Sequence, residues 1–276
     1  MSTPFNYDTF VTRNNGYVAE STQKKIQNST LLIAGCGIGS SVAICAARMG
    51  FCHFVLVDGD VVDAHNLNRQ FYDFEDIGKS KVESLKTKIL RINPEAKVEA
   101  IHAYLTKENT NGIVKKADIV FDTIDFLDLE AILSLHTAAK EHGAELFTAL
   151  SIGYGAGVLY FPAKSGLSLA DLIAHDVQNA QSEGEASYAN VFSKIMGRIG
   201  AHLDKQVVEQ VAKALTIMED GRPCPASQVA VGSFTIAAMA VAMMHDVLAG
   251  MQVPSAPTMV VHSFRNHETK LINIAG

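Results

Sequence analysis

The four cysteines, Cys36, Cys45, Cys52 and Cys224, contain no C-x-x-C pair. Tetrathiolate zinc sites and thioredoxin-like redox sites need that spacing, so both are excluded, and no zinc is expected. A disulfide scaffold is equally unsupported, which makes a reducing cytoplasm the default setting. The first eight residues, MSTPFNYD, lack a basic stretch followed by an apolar one, so no secretory signal is read. There is no run of Lys and Arg; with a net charge of −6 and a pI near 5.9, a nucleic-acid partner is not expected. The least polar run, 229–244, is shorter than the roughly 20 residues a bilayer span needs. His245 and Asp246 follow it at once, so a buried helix is expected and no membrane partner. The ten histidines show no H-E-x-x-H or other paired metal spacing. Internal repeats and low-complexity tracts are absent.

What is present is globular in composition: 276 residues, 48% hydrophobic and 19% charged, enough for one large domain or two small ones. The apolar run 30–34 leads into Gly35-Cys36-Gly37-Ile38-Gly39-Ser40 and then small and apolar residues as far as Gly50, the pattern of strand, glycine turn and helix. Strands are predicted at 54–57, 98–101, 119–121 and 145–150, and helices at 79–92 and 127–141. Such alternation implies an α/β fold with a mostly parallel, Rossmann-like sheet. After Ser151 the pattern changes: 158–161, 259–264 and 270–274 read as antiparallel strands, the last two as a hairpin. Together they predict an N-terminal helical arm (1–29), a nucleotide-binding unit (30–162), a mobile insertion (163–226) with helical spacing at 205–218, and a helix plus hairpin (227–276) completing the same domain.

A glycine turn between strand and helix exposes backbone N–H groups and the positive end of a helix, a setting suited to a nucleotide phosphate. Asp58, ending the next strand, could accept ribose hydroxyls. Alone, this also fits an NAD-dependent oxidoreductase, or a tight turn in any α/β fold, and Ser40 replaces the third glycine of G-x-G-x-x-G.

The segment D-G-D-V-V-D-A-H-N-L-N-R-Q at 58–70 is more specific. It resembles the D-x-D-x-V-x-x-x-N-L-x-R-Q pattern of the ThiF/MoeB/HesA family of ubiquitin-activating-enzyme-like adenylyltransferases. The resemblance continues through G-K-S-K-V-E-S at 78–84, R-I-N-P at 91–94 and F-D-T-I-D at 121–125, with Arg13 at the place of the family's N-terminal arginine. It implies that a carboxylate attacks the α-phosphorus of ATP to give an acyl-adenylate and pyrophosphate. By the same resemblance Gly35, Gly37, Gly39 and Asp60 belong to the nucleotide site, Asp58 holds the ribose, Asn66 and Arg69 the phosphates, Lys81 the α-phosphate and Asp125 a magnesium ion. Arg13 would reach in from the neighbouring subunit of a homodimer. The residue types suit phosphoryl chemistry, which is mainly positioning and neutralisation of developing charge.

Plainer roles stand beside these. Lys81 taken alone reads as a solvated surface lysine, Asp60 and Asp63 could cap the loop, and Asp122 competes with Asp125 as metal ligand. Cys224, in R-P-C-P-A-S-Q-V at 222–229, resembles the family cysteine of C-x-x-A-G-V and could accept the activated group; it could equally be a small apolar residue in a proline-rich turn. Here Ser227-Gln228 replaces the family's A-G, Phe126 follows Asp125 where Asn is common, and the glycine turn is one residue short of G-x-G-G-x-G. Cys36, Cys45 and Cys52 read as core, and Met239, Met243 and Met244 as core or dimer filling. The expected substrate is the C-terminus of a small ubiquitin-like or sulfur-carrier protein, or a peptide. A small-molecule or tRNA-linked carboxylate, an NAD-dependent oxidoreductase and a non-catalytic partner subunit are the alternatives.

Overall fold

The structure is a computed structural model that describes residues 4–125, 128–165, 167–173, 197–219 and 227–275. Strands β1 (Thr30–Ala34), β2 (His53–Val57), β3 (Lys97–Ile101), β4 (Ile119–Asp122) and β5 (Glu145–Ser151) are parallel, and β6 (Gly155–Phe161), β7 (Thr258–Ser263) and β8 (Glu268–Asn273) continue the sheet antiparallel. Their order is β3-β2-β1-β4-β5-β6-β7-β8. The chain runs outward from β1 to β3 and then returns to β4 on the other side of β1. That reversal opens a crevice beyond the carboxyl ends of β1 and β4, where open α/β sheets bind ligands.

Both faces of the sheet are covered, which is why its inner strands read as continuous apolar runs. Leu31 and Ile33 of β1 face one layer, built from α2 (Glu20–Asn28), α3 (Gly39–Met49), α4 (Lys81–Ile92) and the final helix. Leu32 and Ala34 face the other, where α5 (Lys107–Val114) and α6 (Leu129–His142) pack. Successive strand residues alternate sides, so one five-residue strand serves two cores. Full burial of each such Leu or Ile contributes about 1.5–3 kcal/mol.

The predicted strands are all present, shifted by one to three residues at some ends. Helix α4 begins at Lys81 rather than 79, because Lys79 donates its backbone N–H to Asp76 and Ser80 is the N-cap. Helix α5 was not anticipated; its KENTNGIV sequence is polar, but the Thr106–Asn109 capping box starts it and Ile113 and Val114 anchor it. The segment 163–226 is not wholly a loose insertion. Residues 169–173 and 197–200 are helical, and α7 (Lys205–Glu219) lays Val207 and Val211 against the second core.

The apolar run near the C-terminus needs correction. Its helix, α8 (Ala230–Ala249), continues through His245 and Asp246 to reach 20 residues, so by length and composition it could cross a membrane. Half of its apolar window is buried in the protein, however, against α2, α3, β5 and β6. Ile236, Ala240 and Met244 are fully buried, His245 Nδ1 lies 2.8 Å from Asp246 Oδ1, and Lys25 Nζ donates to the Leu248 carbonyl at 2.8 Å. The first turn crosses β5–β6 closely: a Cβ on Gly232 would sit 2.3 Å from Ser151 Oγ.

Candidate active site

At the crevice, β1 passes into the glycine turn. Gly35 has φ +87°, and a Cβ there would lie 2.5 Å from the Thr123 carbonyl oxygen. Thr123 holds the approach by donating its hydroxyl to the Gly35 carbonyl (2.7 Å) and its N–H to Ala34 (2.9 Å). The N–H groups of Gly37, Ile38 and Gly39 meet no acceptor among the described residues, leaving donors at the start of α3 for an anion. Ser40, at the third-glycine position, closes the turn: its Oγ donates to the Gly37 carbonyl (2.6 Å) and accepts from the Phe71 N–H (2.9 Å).

Asp58 stands beside this turn at the end of β2. One carboxylate oxygen accepts the Cys36 N–H (2.7 Å) and the other the Asp60 N–H (2.8 Å), so backbone donors fix its orientation. Asp60 in turn binds Lys81 Nζ at 2.7 Å and the Tyr104 hydroxyl at 2.6 Å. Lys81 is a buried lysine, only 6% exposed, which rejects the reading of a solvated surface side chain. Partial burial pushes the Asp60 carboxyl upward, but hydrogen bonds from Lys81 and Tyr104 outweigh it and hold the group below its ordinary value. The Tyr104 ring lies against the main chain of Gly59, where a Cβ would be 2.7 Å from ring carbons. Tyr72, buried, donates to the carbonyls of Cys36 (2.7 Å) and Lys81 (3.3 Å), tying the glycine turn to the start of α4; burial pushes its phenol well up.

Between these groups, Asp63 and Asn66 form a reciprocal capping box, so Asp63 takes the structural role. Asn66 is buried and its Oδ1 accepts the Asp63 N–H at 3.0 Å, which leaves its amide N–H groups as the half that can meet a phosphate. Arg69 is half-buried. Its Nη1 donates to the His65 carbonyl and to Asn68 Oδ1, both at 2.9 Å, and its Nε donates to Gln228 Oε1. Partial burial lowers the guanidinium pKa. Gln70 is buried against Gly37, with its Oε1 unpartnered.

On the β4 side, Asp122 is buried and engaged: Oδ2 lies 3.1 Å from His136 Nε2, and Oδ1 accepts the Ile124 N–H at 3.1 Å. His136 is itself buried and meets the Phe161 ring edge-on. Asp125, three residues beyond Asp122, is exposed and is itself engaged in a contact. Among the described residues no three His, Cys, Asp or Glu side chains gather as a metal cage. One carboxylate fits magnesium, which is commonly held by one or two carboxylates together with substrate phosphates.

The structure does not bring Arg13 to this group. It is exposed, in a segment tied to the far end of α3: Tyr7 donates to the Gly50 carbonyl (2.8 Å) and Gln23 to the Met49 carbonyl (3.0 Å). Helix α3 has 11 residues, so these carbonyls lie about 16 Å from the glycine turn at its start. Cys224 and Phe126 lie outside the described residues. Cys36 and Cys52 are buried, Cys45 is partly so, and burial pushes all three thiols up, as expected of core cysteines.

Sequence reasoning missed Tyr72, Tyr104, His136 and the role of Gln228. Tyr72 lies two residues past the 58–70 motif, so its place was a signal; the others join the site across long separations.

A family model described as the ThiF family matches residues 11–275. Protein HesA of Nostoc sp. (strain PCC 7120 / SAG 25.82 / UTEX 2576) is 34% identical over 105 residues, covering 37% of this chain and 42% of that protein. A probable molybdopterin-synthase adenylyltransferase of Gracilaria tenuistipitata var. liui is 31% identical over 157 residues, 56% of this chain and 44% of the relative. The sulfur carrier protein ThiS adenylyltransferase of Escherichia coli (strain K12) is 31% identical over 140 residues, 50% of this chain and 55% of the relative. The chain thus spans about half the length of these curated relatives or less. Among solved structures, E. coli MccB with ATP superposes with a TM-score of 0.70 at 19% identity, covering 99% of this chain and 74% of MccB. PaaA gives 0.68 at 18%, covering 97% and 79%. These two likenesses carry the fold: an eight-stranded, Rossmann-like sheet with antiparallel C-terminal strands. With the family model spanning nearly the whole sequence and the 58–70 motif folded around one crevice, the chain belongs to the ThiF family.

Proposed function

We propose that this chain catalyses ATP-dependent adenylation of a carboxylate, and that its substrate is the C-terminus of a small ubiquitin-like or sulfur-carrier protein, or a peptide. The observation that carries the reading is buried Lys81 held by Asp60 beside the glycine turn, with Arg69 on the same 58–81 segment. A lysine taken out of water and fixed at the mouth of an anion-binding turn suits charge neutralisation better than hydride transfer, which disfavours the oxidoreductase alternative. The names of relatives support the substrate class: one acts on the carrier protein ThiS, and MccB has been solved with ATP and, in another crystal, with AMPCPP and MccA.

In this reaction a carboxylate oxygen forms a bond to the α-phosphorus of ATP as the bond from that phosphorus to the bridging oxygen of the β-phosphate breaks. Acyl-adenylate and pyrophosphate result. Asp58 accepts the ribose hydroxyls, the free N–H groups of Gly37 to Gly39 and the Asn66 amide cradle phosphate oxygens, and Arg69 and Lys81 balance charge that grows toward the transition state. Asp125 would hold magnesium, whose charge assists departure of pyrophosphate. Since Arg13 lies far from its own crevice, it serves the crevice of a second copy in a homodimer, with α8 and exposed Phe234 at the interface. Cys224, within the 163–226 crossover region, is the acceptor: its thiolate sulfur bonds the acyl carbon as the bond from that carbon to the adenylate oxygen breaks and AMP leaves. A reducing, cytoplasmic setting suits that thiol.

Calorimetry with ATP and magnesium, set against NAD, tests the reading. Binding of magnesium-ATP is expected; tight NAD binding with none of ATP would overturn it in favour of the oxidoreductase.

A further inference from the structure

Gln228 occupies the position where the resembling family pattern has glycine, and its side chain is not idle. Its Oε1 accepts the Nε–H of Arg69, while its main-chain carbonyl accepts Asn68 Nδ2 at 3.2 Å. One residue in the lead into α8 therefore grips two consecutive residues of the 58–70 motif. The grip determines which face of the guanidinium is left over. Nε is satisfied by Gln228, and Nη1 by the His65 carbonyl and Asn68 Oδ1. Among the described residues Nη2 has no acceptor, so that edge remains for a ligand. A neutral amide achieves this without cancelling the positive charge, which a carboxylate at the same place would do.

We propose that Gln228 is a positioning residue for Arg69: it locks the guanidinium fork so that Nη2 faces the nucleotide phosphates, and thereby sets affinity for magnesium-ATP. The inference rests on the adenylation reading above. Holding a long side chain in its bound rotamer before the ligand arrives removes an ordering cost from binding. A glycine here would remove the Nε anchor and leave the guanidinium held through Nη1 alone, so the tilt of the Nη2 edge would depend on the ligand to set it.

The test is calorimetric titration of the full chain with magnesium-ATP. Gln228→Met, close in volume but without an acceptor, should weaken binding about three- to tenfold while leaving the thermal midpoint of the free protein nearly unchanged. In an Arg69→Lys background, which keeps the charge but lacks the Nε donor, Gln228→Met should cost nothing further, a non-additivity that a purely structural role would not produce. Unchanged or tighter binding by Gln228→Met, or an equal loss in both backgrounds, overturns the proposal while the adenylation reading stands. No binding of magnesium-ATP by the unaltered protein removes the reading itself, and the proposal with it.

Discussion

Gly35→Ala would set a methyl carbon 2.5 Å from the Thr123 carbonyl oxygen, 2.7 Å from its carbonyl carbon and 3.1 Å from the Ile124 nitrogen. All three are backbone atoms of the connection that carries Asp122 and Asp125, and that connection is pinned by hydrogen bonds from Thr123 to Ala34 and Gly35. The side chain also has to adopt φ +87°, at a cost of about 1–2 kcal/mol for an L-residue. Overpacking against backbone that cannot rotate away adds about 1–3 kcal/mol, so the substitution should destabilise the fold by about 2–5 kcal/mol. Gly37→Ala is the matched control. Its Cβ would meet only the amide at the end of the Gln70 side chain, nearest at the nitrogen, 3.2 Å away, so a cost below about 1 kcal/mol is expected. Urea unfolding without nucleotide measures both, and magnesium-ATP titration below the unfolding range should show Gly35→Ala binding far more weakly than Gly37→Ala. Equal stability of Gly35→Ala and the parent, or greater damage from Gly37→Ala, would refute the close approach of β1 to the β4–α6 connection.

Arg69→Ala and Lys81→Ala should each lower ATP–pyrophosphate exchange by about a hundredfold or more, since each removes a donor aimed at developing charge; near-normal exchange in both would make the motif decorative. The Asp60–Lys81 pair gives a pH signature. Asp60's folded pKa is depressed, so its contribution is present above the ordinary carboxylate value of about 4 and is lost as pH falls through the folded value. Asp60 is half exposed, which limits the effect to a fraction of a kcal/mol, and the stability gap between the parent and Asp60→Asn should close between pH 5 and about 3; a gap that stays constant would contradict the pairing. Mixing inactive Arg13→Ala with inactive Arg69→Ala should restore exchange if Arg13 serves a second copy, because mixed dimers contain one intact site; a monomer in sedimentation that keeps full activity would rule this out. Cys224→Ser should spare exchange but stop transfer to the final acceptor, and intact-mass detection of an acyl adduct on the unaltered thiol would establish the acceptor directly.

The inner strands were legible because burial on both faces leaves a run such as Leu31-Leu32-Ile33-Ala34 without polar interruptions. Helix α5 was not, because its stability comes from a capping box and two anchoring residues rather than an apolar stripe. Helix α8 was cut short for the opposite reason: His245 and Asp246 look like a stop, yet they pair with each other and let the helix run on. At the site, the 58–70 motif showed in the sequence which residues matter but not how they are held. Lys81 reads as a surface charge until Asp60, 21 residues earlier, is seen against it. Arg69 finds its partner 159 residues away, a distance over which spacing carries no information. Asp122 and Asp125 look alike as residues, the family resemblance favours the second, and the structure adds that His136 on α6 engages the first.

The two outer strands of the sheet bear on how copies of this chain can meet. On β3, Lys97 and Glu99 share a face with Ile101, and Glu99 is paired with Lys116 at 2.6 Å. On β8, Glu268 and Lys270 share the face of buried Ile272 and bind each other at 2.7 Å. Charged side chains set along an edge make it costly for a foreign strand to zip on, because pairing would strip them of water. Both open margins of an eight-stranded sheet are thereby guarded against runaway fibre-like growth.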